Sequence, residues 1–320
     1  MPKIWERDRL YAILRHYVDY CTRESYGRVK VKGSIPDDGA VLVAPNHTNT
    51  LMDALVVLQS RKDRTVFGAR ADIFRKETAR KILRFLKILP MARQRDGMET
   101  LMQSYGTFDE VEDSLANGVP FCMFPEGRHN PGRELQPLRK GIARIALRSA
   151  RKRKTYIVPT GINYAHFYRY RSAVELVYGP ALEVDPTMDE KQLLQNLHDK
   201  MSTLVFHEAP QWHYRWWLLP FFPLAAVLSL PMWALAELLC RQIKDKAFSN
   251  SVRFLVKLLL EPILLIIYGV VFFLILPWWL AASLLVFFLF SYGIFYDCLG
   301  ITWPQKAKVP NPLDPTNTAS

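Results

Sequence analysis

A histidine and an aspartate, His47 and Asp53, stand six positions apart in the stretch PNHTNTLMDAL at 45–55. A histidine just ahead of a helix start, with an acid on the first turn, can have one ring nitrogen held by the carboxylate. The other nitrogen then faces outward as a base, which is the base-and-orienter half of a triad. No protein serine is needed if the substrate brings its own hydroxyl. The spacing has a plain structural explanation as well. Thr50 to Asp53 matches a capping box, with Thr50 as N-cap and Asp53 at N3, and a histidine in a loop is ordinarily solvated. The two are compatible, since one carboxylate oxygen could cap while the other holds the ring.

The elements around this pair read as alternating strands and helices. AVLVA at 40–44 is the continuous apolar run of a strand buried on both faces, and TVFGA, ILPMA, PFCMF and TYIVP are similar. Helical stretches such as RKETARKILRFLK and METLMQSYGTFDEVEDSLANG lie between them. The alternation predicts an α/β fold, a mainly parallel sheet flanked by helices. Four strands are followed at once by polar clusters: Asn46-His47, then Arg93-Gln94-Arg95-Asp96, Glu126-Gly127-Arg128-His129, and Thr160-Gly161-Ile162-Asn163. Ligands bind at the carboxyl ends of strands in open α/β sheets, so a base, a carboxylate and several arginines are expected to share one edge. Cys122 lies inside PFCMF and reads as core, not as a nucleophile.

The 320 residues are half hydrophobic and carry a net charge of +12, with the block RKRK at 151–154. Such a surface suits anionic lipid, nucleic acid or phosphorylated substrates. Nucleic acid is set aside, because no aromatic stacking platform or recognised binding motif accompanies the basic residues. Four widely spaced cysteines read as reduced thiols. Residues 1–26 carry scattered charges and a helical apolar stripe, Leu10, Ile13, Leu14, Tyr17 and Val18. That is no signal peptide; it reads as an amphipathic helix, lying on a membrane surface or packed on its own domain.

Beyond Trp212 the composition changes. An uncharged run at 262–296 has the length of a tight hairpin of two membrane spans. An earlier run, 216–239, has Glu237 as its only charge but contains Pro220, Pro223 and Pro231. Between the two, RQIKDKAFSNSVRFLVK has five basic residues and one acid, which places it on the cytoplasmic side. The basic front domain belongs there too. Both hold if the first run dips in and returns as a broken, re-entrant or interfacial hairpin. The reading divides the chain into an N-terminal helix (1–26), an α/β domain (27–211), a membrane-embedded helical region (212–300) and a disordered tail (301–320).

The set PNHTNTLMD, ILPMARQRDG, FPEGRHN with LRKGIARIAL, and IVPTGI, in that order, resembles the PlsC-like glycerolipid acyltransferases. Two features depart from the common pattern. Five residues, not four, separate His47 from Asp53, and Arg128 follows Gly127 directly with His129 next. Both are closer to the branch of fungal glycerol-3-phosphate and dihydroxyacetone-phosphate acyltransferases. The resemblance implies a membrane-bound O-acyltransferase of phospholipid biosynthesis. It would move a fatty acyl group from acyl-CoA or acyl carrier protein to glycerol 3-phosphate or dihydroxyacetone phosphate, without cofactor or metal. It makes His47 the base and Asp53 its orienter. Asn46, Arg93, Arg95, Glu126, Gly127, Arg128, His129 and Lys140 become the substrate-binding set, and a bacterial inner membrane, catalytic domain inward, becomes the setting. Two alternatives stand beside it: acylation of lysophosphatidic acid or another lysolipid, and a non-catalytic protein that holds anionic lipid.

Overall fold

The computed structural model describes residues 3–61, 64–91, 98–130, 134–205 and 215–302. Its strands are β1 (Arg28–Lys32), β2 (Ala40–Pro45), β3 (Val66–Arg70), β4 (Ile88–Met91), β5 (Phe121–Cys122), β6 (Thr155–Tyr164), β7 (Ala173–Tyr178) and β8 (Leu182–Glu183). They form one sheet in the order β1-β7-β6-β2-β5-β3-β4, with β8 against β6. β6, β2, β5, β3 and β4 run parallel. β7 and β8 are antiparallel to β6, and β1 follows β7. The mainly parallel sheet is thus present, with an opposed margin.

β2 explains itself by alternation. Ala40, Leu42 and Ala44 pack with Val111 and Leu115 of α4 (Met98–Ala116), Ile142 and Ile145 of α5 (Gly141–Ala150), and Leu193 and Leu197 of α6 (Glu190–Ser202). Val41 and Val43 face the other way, toward Cys21 of α1 (Arg9–Ser25) and Met52, Leu55 and Val56 of α2 (Leu51–Gln59). All six residues of β2 are buried, so no polar alternation survives. Each fully buried Leu, Ile or Val contributes about 1.5–3 kcal/mol. Cys122 belongs to this core, and burial pushes its thiol well above the ordinary range.

Three C-terminal helices follow: α7 (Phe222–Gln242), α8 (Ser249–Ile275) and α9 (Trp278–Thr302). Each, α7 with the 3-10 turn Trp216–Phe221 ahead of it, is long and apolar enough to cross a membrane. α8 and α9 form the expected hairpin. Its tip exposes Leu274, Ile275, Trp278 and Trp279, as suits contact with lipid. The first run corrects its expectation: it is no hairpin but the 3-10 turn Trp216–Phe221 running into an α-helix that continues through Pro231. Both flanks of α7 nevertheless touch the front domain. Arg215, just before it, donates to the Gly27 carbonyl at 3.1 Å, and Asp245, just after it, bonds His129 at 2.7 Å.

α1 packs within the chain, on both the front domain and α8, in line with the second reading of the N-terminal helix. Cys21 and Tyr26 enter the front-domain core, while the Tyr17 hydroxyl donates to the Leu258 carbonyl of α8 at 3.1 Å. Leu10 and Ile13 remain exposed.

Candidate active site

β2 ends at Pro45 and the chain turns through residues 46–50 into α2. Asp53, on the first turn, is 0% exposed. Its Oδ2 accepts from His47 Nδ1 at 2.9 Å and from the backbone N–H groups of Thr48 and Asn49 at 2.8 and 2.7 Å. Its Oδ1 accepts from the Tyr164 hydroxyl at 2.8 Å. A carboxylate in this setting only accepts, so Nδ1 carries hydrogen and Nε2 is left as the ring's basic atom. Four donors also satisfy the buried carboxylate.

The capping box does not form as the spacing predicts. Thr50 precedes α2, but its hydroxyl bonds Ser251 Oγ of α8 at 2.7 Å and caps nothing. Thr50 sits at φ 48° and ψ −122°, which coils the turn back so that the amides of Thr48 and Asn49 reach Asp53. One oxygen, Oδ2, therefore both binds the turn and holds the ring. These two amides are spent on Asp53 and the His47 amide on Glu126, so none of the three serves a developing oxyanion.

The second wall is the turn after β5. Glu126 is buried, and its two oxygens accept from the His47 amide at 2.7 Å and the Gln136 amide at 3.0 Å. It binds the turn and not the solvent side. Burial lifts its carboxyl above the ordinary range, although both amides and His47 pull the other way. Gly127 has φ 69°, and a Cβ there would meet Arg139 Cγ at 3.1 Å, so both backbone and space favour glycine. The His47 carbonyl accepts from the Asn130 amide at 2.8 Å, a further tie between the two turns.

His47 stacks on Phe124, with centroids 4.2 Å apart. It opens, with Arg128, His129, Arg139 and Lys140, onto one cavity of about 1800 Å³. This is larger than the ~300–1,000 Å³ of ordinary small-molecule pockets. Most of the remaining wall is apolar, with Leu14, Leu55, Leu58, Ile82, Leu83 and Leu258, although Arg15, Arg70 and Asp72 also line it. The cavity thus joins a base and cations to a greasy channel shared by the front domain and α8.

Not every expected residue belongs to this cavity. Asn46 is buried, and its amide is used twice on Ile162, receiving the N–H at 2.7 Å and donating to the carbonyl at 3.2 Å. It fastens β2 to β6 and is not among the residues that line the cavity. Thr160-Gly161-Ile162-Asn163 lies inside β6, not after it, because the strand continues to Tyr164 to pair with β7. Lys140 lines the cavity, but its ammonium lies 3.6 Å from Glu190. Arg93 and Arg95 lie outside the described residues. Sequence reasoning missed four neighbours: Phe124, Arg139, Tyr164 and Asp245. Arg139 stood in the quoted LRKG, and Tyr164 is an even number of residues from Ile162 on a strand, hence on its face. Asp245 carried no local signal.

A family model described as Acyltransferase matches residues 28–163. The chain is 28% identical over 149 residues to an uncharacterized acyltransferase of Schizosaccharomyces pombe, covering 46% of this chain and 20% of that protein. It is 34% identical over 109 residues to Glycerol-3-phosphate O-acyltransferase 2 of Saccharomyces cerevisiae, covering 31% of this chain and 15% of that protein. The chain thus matches a fifth or less of the length of these relatives. The crystal structure of the 1-acyl-sn-glycerophosphate (LPA) acyltransferase PlsC from Thermotoga maritima aligns at 19% identity with a TM-score of 0.46, covering 62% of this chain and 81% of that one. The matched segment, which spans both the His47 turn and the Glu126 turn, is thus an acyltransferase domain, and the relatives it resembles include yeast glycerol-3-phosphate O-acyltransferases.

Proposed function

We propose that the protein moves a fatty acyl group from an acyl thioester to a hydroxyl of glycerol 3-phosphate at a membrane surface. His47 Nε2 takes the hydroxyl proton as the oxygen attacks the thioester carbonyl. The tetrahedral intermediate collapses with loss of the thiolate, and the imidazolium returns the proton to sulfur. General-base assistance of this kind is worth about 10²–10⁴-fold. Asp53 holds the tautomer and balances the transient charge. The apolar channel suits the acyl chain, and the fixed cations Arg128 and Arg139 suit the acceptor's phosphate. No acyl-enzyme, metal or cofactor enters this scheme. The basic loop between α7 and α8 favours a front domain on the cytoplasmic face, with a bacterial inner membrane as the setting.

The observation that carries this reading is the His47–Asp53 bond at the polar end of an apolar cavity. The test is an assay of the purified protein with glycerol 3-phosphate and with lysophosphatidic acid, each with acyl-CoA and acyl carrier protein. Glycerol 3-phosphate is the expected acceptor. His47→Ala should abolish transfer while liposome binding persists. A His47→Ala protein as active as the wild type would overturn the mechanism.

A further inference from the structure

We propose that His129, held by Asp245 from the segment joining α7 to α8, reads a second hydroxyl on the acceptor, next to the one that reacts. This rests on the acyl-transfer reading of His47. His129 Nε2 lies 2.7 Å from Asp245 Oδ2. The carboxylate only accepts, so Nε2 carries hydrogen and Nδ1 becomes a hydrogen-bond acceptor. Asp245 is itself fixed, because its Oδ1 accepts from the Ala247 amide at 2.9 Å. Phe248 meets the imidazole edge-on at 5.1 Å. The membrane-side segment therefore sets the ring from two directions.

The ring it sets lies beside the base. The His47 and His129 centroids are 6.1 Å apart, with planes at 87°, and both rings line the same cavity. A hydroxyl bonded to His47 Nε2 places a hydroxyl on the adjacent carbon within reach of the second imidazole. Nδ1 can receive that hydrogen. Arg128 and Arg139 cannot, since guanidinium groups have donors and no acceptor, and they are left for phosphate. The Asp245 side chain is half exposed, and pairs at that exposure add little to stability. The pair's consequence is orientation, and the ligand it selects is a phosphorylated polyol with neighbouring hydroxyls.

The discriminating pair of acceptors is glycerol 3-phosphate and 1,3-propanediol phosphate, its 2-deoxy analogue, assayed with the full-length protein in vesicles. The wild type should prefer glycerol 3-phosphate by about tenfold in kcat/KM, the worth of one hydrogen bond. His129→Phe should bring the ratio near one, and Asp245→Ala should lower it. His129→Asn, whose side-chain oxygen stands near the Nδ1 position, should restore part of it. The ratio within each protein is independent of how much of it folds. A wild type that treats both acceptors alike, or a His129→Phe protein that keeps the preference, overturns the proposal. Activity on lysophosphatidic acid without activity on glycerol 3-phosphate overturns it while the acyl-transfer reading stands. Inactivity toward all three acceptors, with either donor, overturns both.

Discussion

Two of the acid–base pairs with a buried carboxylate among the described residues have opposite fates. At the junction with the membrane helices, Lys257 and Glu261 pair within α8, both almost fully buried. The Tyr20 hydroxyl donates to Glu261 at 3.0 Å, the Tyr17 hydroxyl adds a longer bond at 3.4 Å, and the Tyr20 ring covers the ammonium. Every charged atom is turned inward, and the pair joins α1 to α8. In the front domain Asp53 is as deeply buried, but its partner His47 keeps a partly exposed edge on the cavity. Burial alone does not mark a functional charge. What marks it is an atom left unspent and aimed at space a ligand could fill.

The largest effect should come from breaking the open pair. His47→Ala or Asp53→Asn should lower kcat by about 10³–10⁴-fold, with little change in melting temperature for His47→Ala. Steady-state assays and unfolding of the same preparations check both halves. Breaking the closed pair should do the reverse. Lys257→Met strands Glu261 and should cost about 3–5 kcal/mol of stability, whereas Lys257→Met with Glu261→Leu should cost far less. Unfolding in lipid nanodiscs measures the difference, and equal losses in the single and double variants would erase the contrast. Tyr164→Phe removes one of four donors to Asp53. A fall in kcat of about tenfold with KM unchanged is expected, equivalent to one hydrogen bond to a charged group.

The smallest effect concerns pH. The Glu126 carboxyl is raised by burial in the folded state. The folded protein then binds more protons than the unfolded chain over the interval between the two values. This contribution to stability is full below the ordinary carboxylate range and is lost as pH rises through the raised value. Glu126→Gln should remove that part of the slope, as read by unfolding over a pH series.

The same comparison shows what the sequence could reveal. The apolar runs of β2 and β6 stood out because both faces of those strands meet other elements. β1, RVKVK, lies at the sheet margin with most of its side chains exposed, and nothing in its composition competes with a loop. The His47–Asp53 spacing was legible because the contact is local. His129–Asp245 and Thr50–Ser251 join residues more than a hundred positions apart, and such pairs exist only once the membrane helices dock. Asn46 is a related case. A polar residue beside a base reads as a ligand contact, and only the fold shows the neighbouring strand holding both ends of its amide.

Thr50 has a consequence of its own. A β-branched residue at φ 48° and ψ −122° is strained, typically by about 1–3 kcal/mol. Here a hydroxyl of α8 fastens it. The hinge of the turn that carries His47 is thus pinned to a helix long and apolar enough to cross a membrane. Bilayer thickness and lateral tension acting on α8 would reach the imidazole mechanically, through one side-chain bond. Extraction into detergent should then slow the enzyme by detuning that turn, even where the fold stays intact.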